Sequence, residues 1–463
     1  MGLTRRQQYF LALETIEGTA ATITAATHKL RALDPSSKAV KAMNRRAEVG
    51  TSLSLPTLRV GAKSVTFNFA LDLASGGALA TIPEWGPALR SCGWRETDNG
   101  VTYVLTNSTG VIAAISAGDT LTGAGGATAT ALWANAIENG AIKVFVRSVS
   151  GSFLVTENVT VGGVTVFAID ASTATATDGQ LYQPDSITAD KVEYSAIGSP
   201  TVGEVVVGGT SGVKGVYRSS DGSSTVRIEV AHGTGTTFTA TETLTGQTSA
   251  QTITVHGTPA QAMDYSPSCT ILHKMDGAAR KGIGCRGNAT IELVAGEIGR
   301  INFAFTGVHN SSADAALDSS LSYPTATKLR FSAGYFAEGS NKWPVSALSV
   351  DGGSSVVMRA DPNDTSGYHS AAITDRAPVV NIDPEAQLTG TRDWFADWDA
   401  ETTTTFDASM GSAEGNRVAI YAPALQAEDI SDGDREGIRT HDLTMIPTRN
   451  TTDGDDELSI FVA

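Results

Sequence analysis

Residues 63–73, KSVTFNFALDL, alternate apolar Val65, Phe67, Phe69, Leu71 and Leu73 with Thr66, Asn68, Ala70 and Asp72. That period of two predicts a strand buried on one face. The same period in 290–293 (TIEL) and 301–305 (INFAF), joined through Ala295-Gly296-Glu297, predicts a hairpin with glycine at its tight position. Leu458, Ile460 and Val462 alternate after Gly454-Asp455-Asp456, so this stretch is expected to pair into a sheet. Helical spacing is rare. In 83–94 (PEWGPALRSCGW), Trp85, Ala88, Leu89 and Cys92 share one helical face, with Pro83 in the first turn and Gly93 as a left-handed stop. A second helix is expected over 392–401, where Trp394, Phe395 and Trp398 share a face behind a capping Asp393; at this spacing Trp394 and Trp398 read as core.

From about 110 to 258 the texture changes to Gly, Thr, Ser and Val with no helical period. It also repeats: Gly118-Asp119, Phe153 and Glu157 recur 85 residues on as Gly203-Glu204, Phe238 and Glu242. Two small all-β modules with frequent turns are implied, too few for a solenoid. Tyr103, Tyr182-Gln183-Pro184 and Tyr265-Ser266-Pro267 border them, as expected of modules inserted at one connection of a host domain.

Composition supports the β reading. Only 18% of residues are charged, and small neutral side chains must cover much of the surface. The net charge of −16 opposes gathering onto a polyphosphate, which argues against a sequence-reading nucleic-acid binder. The charge is uneven, +4 over 1–109, −6 over 110–258 and −14 over 259–463. Lys29, Arg31, Lys38, Lys41, Arg45 and Arg46 crowd one expected loop, and Glu428, Asp429, Asp432, Asp434 and Glu436 another. Cys92, Cys269 and Cys285 cannot all pair and match no zinc spacing, so they read as buried thiols made in a reducing compartment. Thr4-Arg5-Arg6 imitates a twin-arginine signal, but Glu14 and Glu17 interrupt the apolar run such a signal needs, and cytoplasmic synthesis is expected.

No catalytic constellation assembles in the sequence. The seven histidines are scattered, with no HExxH, GxSxG or GxxxxGK[ST]. The acidic run 429–436 is the best calcium lead, but its spacing is wrong for an EF-hand, and a solvated or subunit-facing loop is the simpler reading. The expectation is therefore a protein that is not an enzyme, with no cofactor and no metal site.

Several segments resemble one family in order: GLTRRQQYFLALETIEGTAAT near the start, PEWGPALRSCGWRET at 83–97, GCRGNATIELVAGEIGRINFAFTG at 284–307, DRAPVVNIDPEA at 375–386, GNRVAIYAPALQ at 415–426, GDREG at 433–437 and GDDELSIFV at 454–462. Together they resemble the major tail tube proteins of long, non-contractile-tailed (siphovirus-type) bacteriophages, over about 1–105 and 262–463. The hairpin 284–307 is the most specific piece, and 110–258 interrupts the likeness.

The resemblance implies a structural virion protein of the tail, assembled in the host cytoplasm, whose rings stack around a lumen with a β-barrel wall shared among subunits. It implies as partners other copies of the chain, tape measure and tail terminator or initiator proteins, and DNA that passes without specific binding. The expected fold is mainly β. It comprises two tail-tube-type β-sandwich or barrel-forming domains with short helices (1–109 with 259–312, and 313–463) and an inserted two-repeat decoration over 110–258.

A helix followed by a hairpin occurs twice in the tube-like part, so three chains, rather than six, are expected to close a pseudo-sixfold ring. Lys38, Lys41, Arg45 and Arg46 are the expected inter-ring docking residues, and the acidic C-terminal third is expected to give a net acidic lumen. A β-rich adhesin or receptor-binding fibre is the alternative from another class.

Overall fold

The computed structural model describes all residues except 1–4, 15–16, 45–56, 80, 106–112, 114, 134–135, 139–140, 185–188, 202–203, 221–224, 231–237, 257–261, 265–266, 320, 324–325, 333, 340, 414 and 451–454. The fold is mainly β, with several antiparallel sheets and two short helices among the described residues. It divides into two compact units, Met1–Pro184 with Ser268–Ala463, and Asp185–Pro267.

The larger unit opens with β1 (Gln7–Leu13), β2 (Lys29–Leu30) and the long hairpin β3 (Leu33–Asn44) and β4 (Arg59–Asp72), followed by α1 (Gly86–Arg90). The alternation read at 63–73 is that of β4, which buries Val65, Phe67, Phe69 and Leu71. α1 is shorter than the expected 83–94. Gly86 closes a turn onto Pro83, and Gly93, at φ 86°, stops the helix within two turns.

The chain then enters the first module: β5 (Trp94–Leu105), β6 (Thr120–Gly123), β7 (Thr128–Ala131), β8 (Ala136–Glu138), β9 (Ala141–Ser150), β10 (Asn158–Val161), β11 (Val164–Ala168) and β12 (Ala176–Pro184). The second module repeats it as β13 (Ala189–Ile197), β14 (Val205–Gly208), β15 (Lys214–Ser220), β16 (Thr225–Val230), β17 (Thr243–Gly246), β18 (Thr252–Val255) and β19 (Ala262–Asp264). In the second module the order β13-β16-β15-β14-β17-β18 closes back onto β13 as a small barrel. The first module runs in the matching order β5-β9-β7-β6-β10-β11.

Each module is itself doubled at a 38-residue interval, a period the sequence reading missed. Thr201…Glu204…Thr248-Ser249 and Thr239…Glu242…Thr210-Ser211 show why, because each carboxylate clamps the turn of the other half. Glu204 accepts the amides of Thr201 (2.6 Å), Thr248 (3.1 Å) and Ser249 (2.9 Å) and the Ser249 hydroxyl (2.6 Å). Glu242 accepts the amides of Thr210 (3.0 Å) and Ser211 (2.9 Å), the Ser211 hydroxyl (2.8 Å) and the Thr239 amide. In the first module Glu157 reaches the Gly125 amide (2.9 Å), whereas Asp119, a methylene shorter, takes Ser116 beside it (2.7 Å).

The Ser249 hydroxyl and amide hold the Glu204 carboxyl down at about 2, below its ordinary 4.5. Its stabilising contribution is therefore complete above the unfolded value and is lost as pH falls toward about 2. Glu204→Gln is expected to lower the unfolding temperature of this barrel at pH 7, with the gap to wild type closing near pH 2. A pH-independent gap, followed by thermal unfolding, would contradict the clamp.

After the modules come β20 (Cys269–Met275), β21 (Gly277–Val294) and β22 (Arg300–Ala315), then β23 (Tyr335–Glu338), β24 (Val345–Asp351), β25 (Ser354–Ala360), β26 (Tyr368–Arg376) and β27 (Val379–Pro384). α2 (Trp394–Asp399), β28 (Thr403–Met410), β29 (Val418–Arg435), β30 (Ile438–Pro447) and β31 (Ser459–Val462) complete the larger unit. Asp393 caps α2 by accepting the Ala396 amide (3.0 Å). Trp394 is buried, but Phe395 and Trp398 are not, so the expected core pair of tryptophans is divided.

One pattern of pairing occurs twice. β3-β4-β22-β21-β20-β1 are neighbours in that order, and so are β24-β27-β30-β29-β28-β23. The chain visits the two sets in the same sequence, with a helix between the third and fourth strands each time. The second set goes from α2 to β28 in a few residues, and the first carries both modules at that connection.

The module segment does not behave as one insertion over 110–258. The first module belongs to the larger unit because β12 pairs with both β5 and β31. Val101, Leu132, Trp133 and Phe145 also share a buried cluster with Ala419 and Phe461. Only 185–267 is separate.

Candidate functional site

β21 pairs with β24 over 290–294, and this joins the two sets into one eight-stranded antiparallel run, β3-β4-β22-β21-β24-β27-β30-β29. Period-two alternation gives it two unlike faces. Phe67, Phe69, Ile291, Ile301, Phe303, Leu348, Val380, Ile382, Leu443 and Met445 enter the main core, where Phe69 stacks on Phe303 with centroids 5.3 Å apart.

The opposite face follows from register. Thr66 faces Thr306, Asn68 faces Ala304, Thr290 faces Asn302, Ser349 faces Asn381, and Asn381 faces Thr444. This face is covered by short polar side chains and alanines. Its charges include the carboxylates of Asp72, Glu292, Asp351, Asp383, Asp429 and Asp442 and the cations of Lys38, Arg286, Arg300 and Arg435, Arg286 being buried against Glu17. Acids outnumber bases on it. Some are held in place: Asp72 pairs with Lys328, Asp383 with Arg435 (3.5 Å), and Asp351 accepts the Gly353 amide (2.9 Å).

The two ends of the run are its chemically incomplete parts. Among the described residues no strand pairs with the outer side of β3, nor with the outer side of β29 beyond Gln426, where β28 stops. An open edge presents unpaired amides and carbonyls and is a template for another strand.

Both charge runs expected as loops prove to lie largely in strands. Lys38 and Lys41 are exposed on β3, opposite Thr66 and Lys63, whereas Arg45 and Arg46 lie outside the described residues. Asp429, Asp432 and Asp434 lie on β29, opposite Thr444, His441 and Arg439. Pairing with a neighbouring strand overrides the loop-like composition of both segments.

The remaining polar groups in the interior are structural. Glu14 accepts from Ser268 (2.7 Å), Thr270 (2.7 Å) and the amides of Gly18 and Gly284 (both 2.9 Å). Glu17 accepts from Arg286 (2.7 Å), Arg359 (3.0 Å) and Ser370 (2.6 Å); burial opposes its ionisation, but the hydrogen bonds from Ser370 and Arg286 and the charges of Arg286 and Arg359 prevail and lower its pKa. His273 sits between Ser37 and Gln7, pushed down to about 4 by burial first and Arg280 second. Cys269 is the cross-strand partner of Cys285, and burial pushes both thiols up.

A cleft of about 670 Å³ is lined by Asp72, Glu84, Arg31, Tyr323 and Lys328 among others. Its carboxylates are engaged, Asp72 by Lys328 and Glu84 by the Arg31 amide, while His28 turns its Nδ1 to the Thr24 amide (2.9 Å). Among the described residues no three His, Cys, Asp or Glu side chains gather as metal ligands would, and no helix is long and apolar enough to cross a membrane. The chain matches no protein-family model and no curated protein significantly.

Proposed function

We propose that the chain is a structural subunit that closes into rings of three and stacks them into a hollow tube, the tail tube of a long-tailed phage. The observation that carries this reading is the six-strand-and-helix pattern present twice, with its sheets joined edge to edge by β21 and β24. A heterologous contact of the kind that joins the two sets inside the chain, repeated between chains, generates a ring when its rotation closes. Three times eight strands exceeds the ~16–18 at which a closed barrel already leaves an aqueous channel.

On this reading the polar face of the eight-stranded run lines the lumen. Its excess of carboxylates suits a conduit, since basic walls would hold the duplex through counterion release at every ring. With a Debye length of ~8 Å at physiological ionic strength, the acids act near contact and impose no long-range barrier. The partners are then further copies of the chain, the tape measure, terminator and initiator proteins, and DNA in transit inside a virion tail. The adhesin reading keeps the two modules as its only support.

Averaged end-on electron micrographs of the purified protein are expected to show hollow rings with three outer features around a pseudo-sixfold wall. Six chains in true sixfold symmetry would refute the doubling, and a discrete oligomer with no lumen would refute the tube.

A further inference from the structure

The contact between the two sets inside the chain is a template for the contact between chains. Where the first set meets the second, β24 pairs with the distal part of β21, and the hairpin β25–β26 extends from β24 and β27 to cover the end of α1. There Ser354 donates to the Cys92 carbonyl (2.9 Å), and a Cβ at Gly93 would lie 3.2 Å from Ile373 Cδ1. Ala88 and Leu89 of α1 itself are fully buried in the main core.

Among the described residues the equivalent place on the second set has no such cover. β29 corresponds to β21 and has no strand on its outer side beyond Gln426 among the described residues. α2 corresponds to α1 and leaves Phe395 and Trp398 exposed by 41% and 40%. Phe395 leans on His441 of β30, with ring centroids 5.7 Å apart.

The element that corresponds to β24 with β25–β26 is the hairpin β3–β4, at the opposite end of the eight-stranded run. Its distal half exposes Val40, Met43 and Val60 by 42%, 49% and 51%. Its charges are Lys38, Lys41, Arg59 and Lys63, with no carboxylate in 35–44 or 59–64. The open stretch of β29 and its turn carry Glu428, Asp429, Asp432, Asp434 and Glu436 with Arg435 as the one cation. Opposite charge and matching apolar patches thus sit at the two ends of one sheet.

We infer that β29 and α2 of one copy receive the β3–β4 hairpin of a second copy. The first half of β3 adds to the open side of β29, with Lys38 and Lys41 against the acidic strand. The distal half, with Met43 and Val60, covers Phe395 and Trp398. This assignment rests on the self-assembling reading above and gives the basic hairpin a place within the ring rather than between rings.

Charge reversal in the full chain tests it. Asp432 and Asp434 are spared because they hold Arg439 (2.9 Å) and the Gly437 amide (2.9 Å) within their own hairpin. The edge variant is Glu428→Lys, Asp429→Lys and Glu436→Lys; the hairpin variant is Lys38→Glu, Lys41→Glu and Lys63→Glu. Like charges set face to face are expected to raise the concentration for association, read by sedimentation velocity, more than about tenfold in either variant. A chain carrying both sets restores opposite charges and is expected to return close to wild type. Circular dichroism verifies folding, and Trp398→Ser, at an exposed position, supplies a second route that must weaken association even in high salt.

Unchanged association of the one-sided variants, or failure of the doubly reversed chain to recover, overturns the contact while wild-type tubes would leave the proposed function standing. Rescue by the double reversal in a protein that forms only discrete oligomers would support the contact and overturn the tube.

Discussion

Replacing residues 185–267 by a short Gly/Ser linker is expected to leave the larger unit folded, whereas replacing 110–184 in the same way is expected to abolish it. Strands β13 and β19, the entry and exit of the small barrel, pair at Ala189 and Asp264, so the barrel begins and ends with its backbones about 5 Å apart, as a self-contained insertion does. The barrel has its own closed ladder and its own core around Val192, Val206, Ile228 and Ile253. Removing the first module instead strips β31 of its neighbour β12, uncovers Ala419 and Phe461, and takes Arg147 away from the buried Asp407. An uncompensated buried charge alone costs about 3–5 kcal/mol, a large share of the ~5–15 kcal/mol that holds a domain together. Size-exclusion chromatography and thermal unfolding of the two deletion chains give the answer. A folded 110–184 deletion beside an unfolded 185–267 deletion would reverse the domain assignment.

The strands that bury one face were legible because burial imposes the alternation directly: β4 and the β21–β22 hairpin each announce themselves. The 85-residue repeat was legible for a similar reason, since Phe153 and Phe238 enter the two module cores and Glu157 and Glu242 clamp equivalent turns. Polar strand ends hid themselves. In β29 beyond Gln426 only Ala427 and Ile430 meet the core, so the acidic run reads as a loop although β30 pairs with Asp429 to Arg435. Pro35 and two serines disguise the start of β3 in the same manner.

The doubling of the larger unit was visible only through its helices and hairpins. The remaining matched strands, such as β1 with β23 and β20 with β28, agree in order and pairing and share no residue pattern that would pair them by eye. Trp398 reads as core from the sequence, yet its ring is exposed, because helical spacing reports that residues share a face and says nothing about whether the covering element lies in the same chain.

Arg147→Ala is expected to destabilise the larger unit by about 3–5 kcal/mol near neutral pH, and by much less near pH 4. Arg147 Nη2 lies 2.6 Å and Nε 3.1 Å from the same Asp407 oxygen, and the guanidinium stacks 3.9 Å above the Tyr421 ring. No pattern in the sequence links residues 260 positions apart, yet this pair fastens the first module to β28. Burial raises the Asp407 carboxyl pKa, and Arg147 only partly offsets that rise. A raised carboxyl pKa means that stability is complete below the unfolded value of ~3.9 and is lost as pH rises through the folded value. Without Arg147 the rise is larger, so the loss extends over a wider range of pH, and the variant is most damaged where Asp407 would have to stay charged and unpaired. Replacing both partners by apolar groups, Arg147→Met with Asp407→Leu, removes the charge and is expected to recover most of the stability. Urea unfolding at pH 7 and pH 4 measures all three chains. A loss in Arg147→Ala that is equal at both pH values, or a double variant as weak as the single one, would show that the arginine stabilises through its packing on Tyr421 and not through the buried charge.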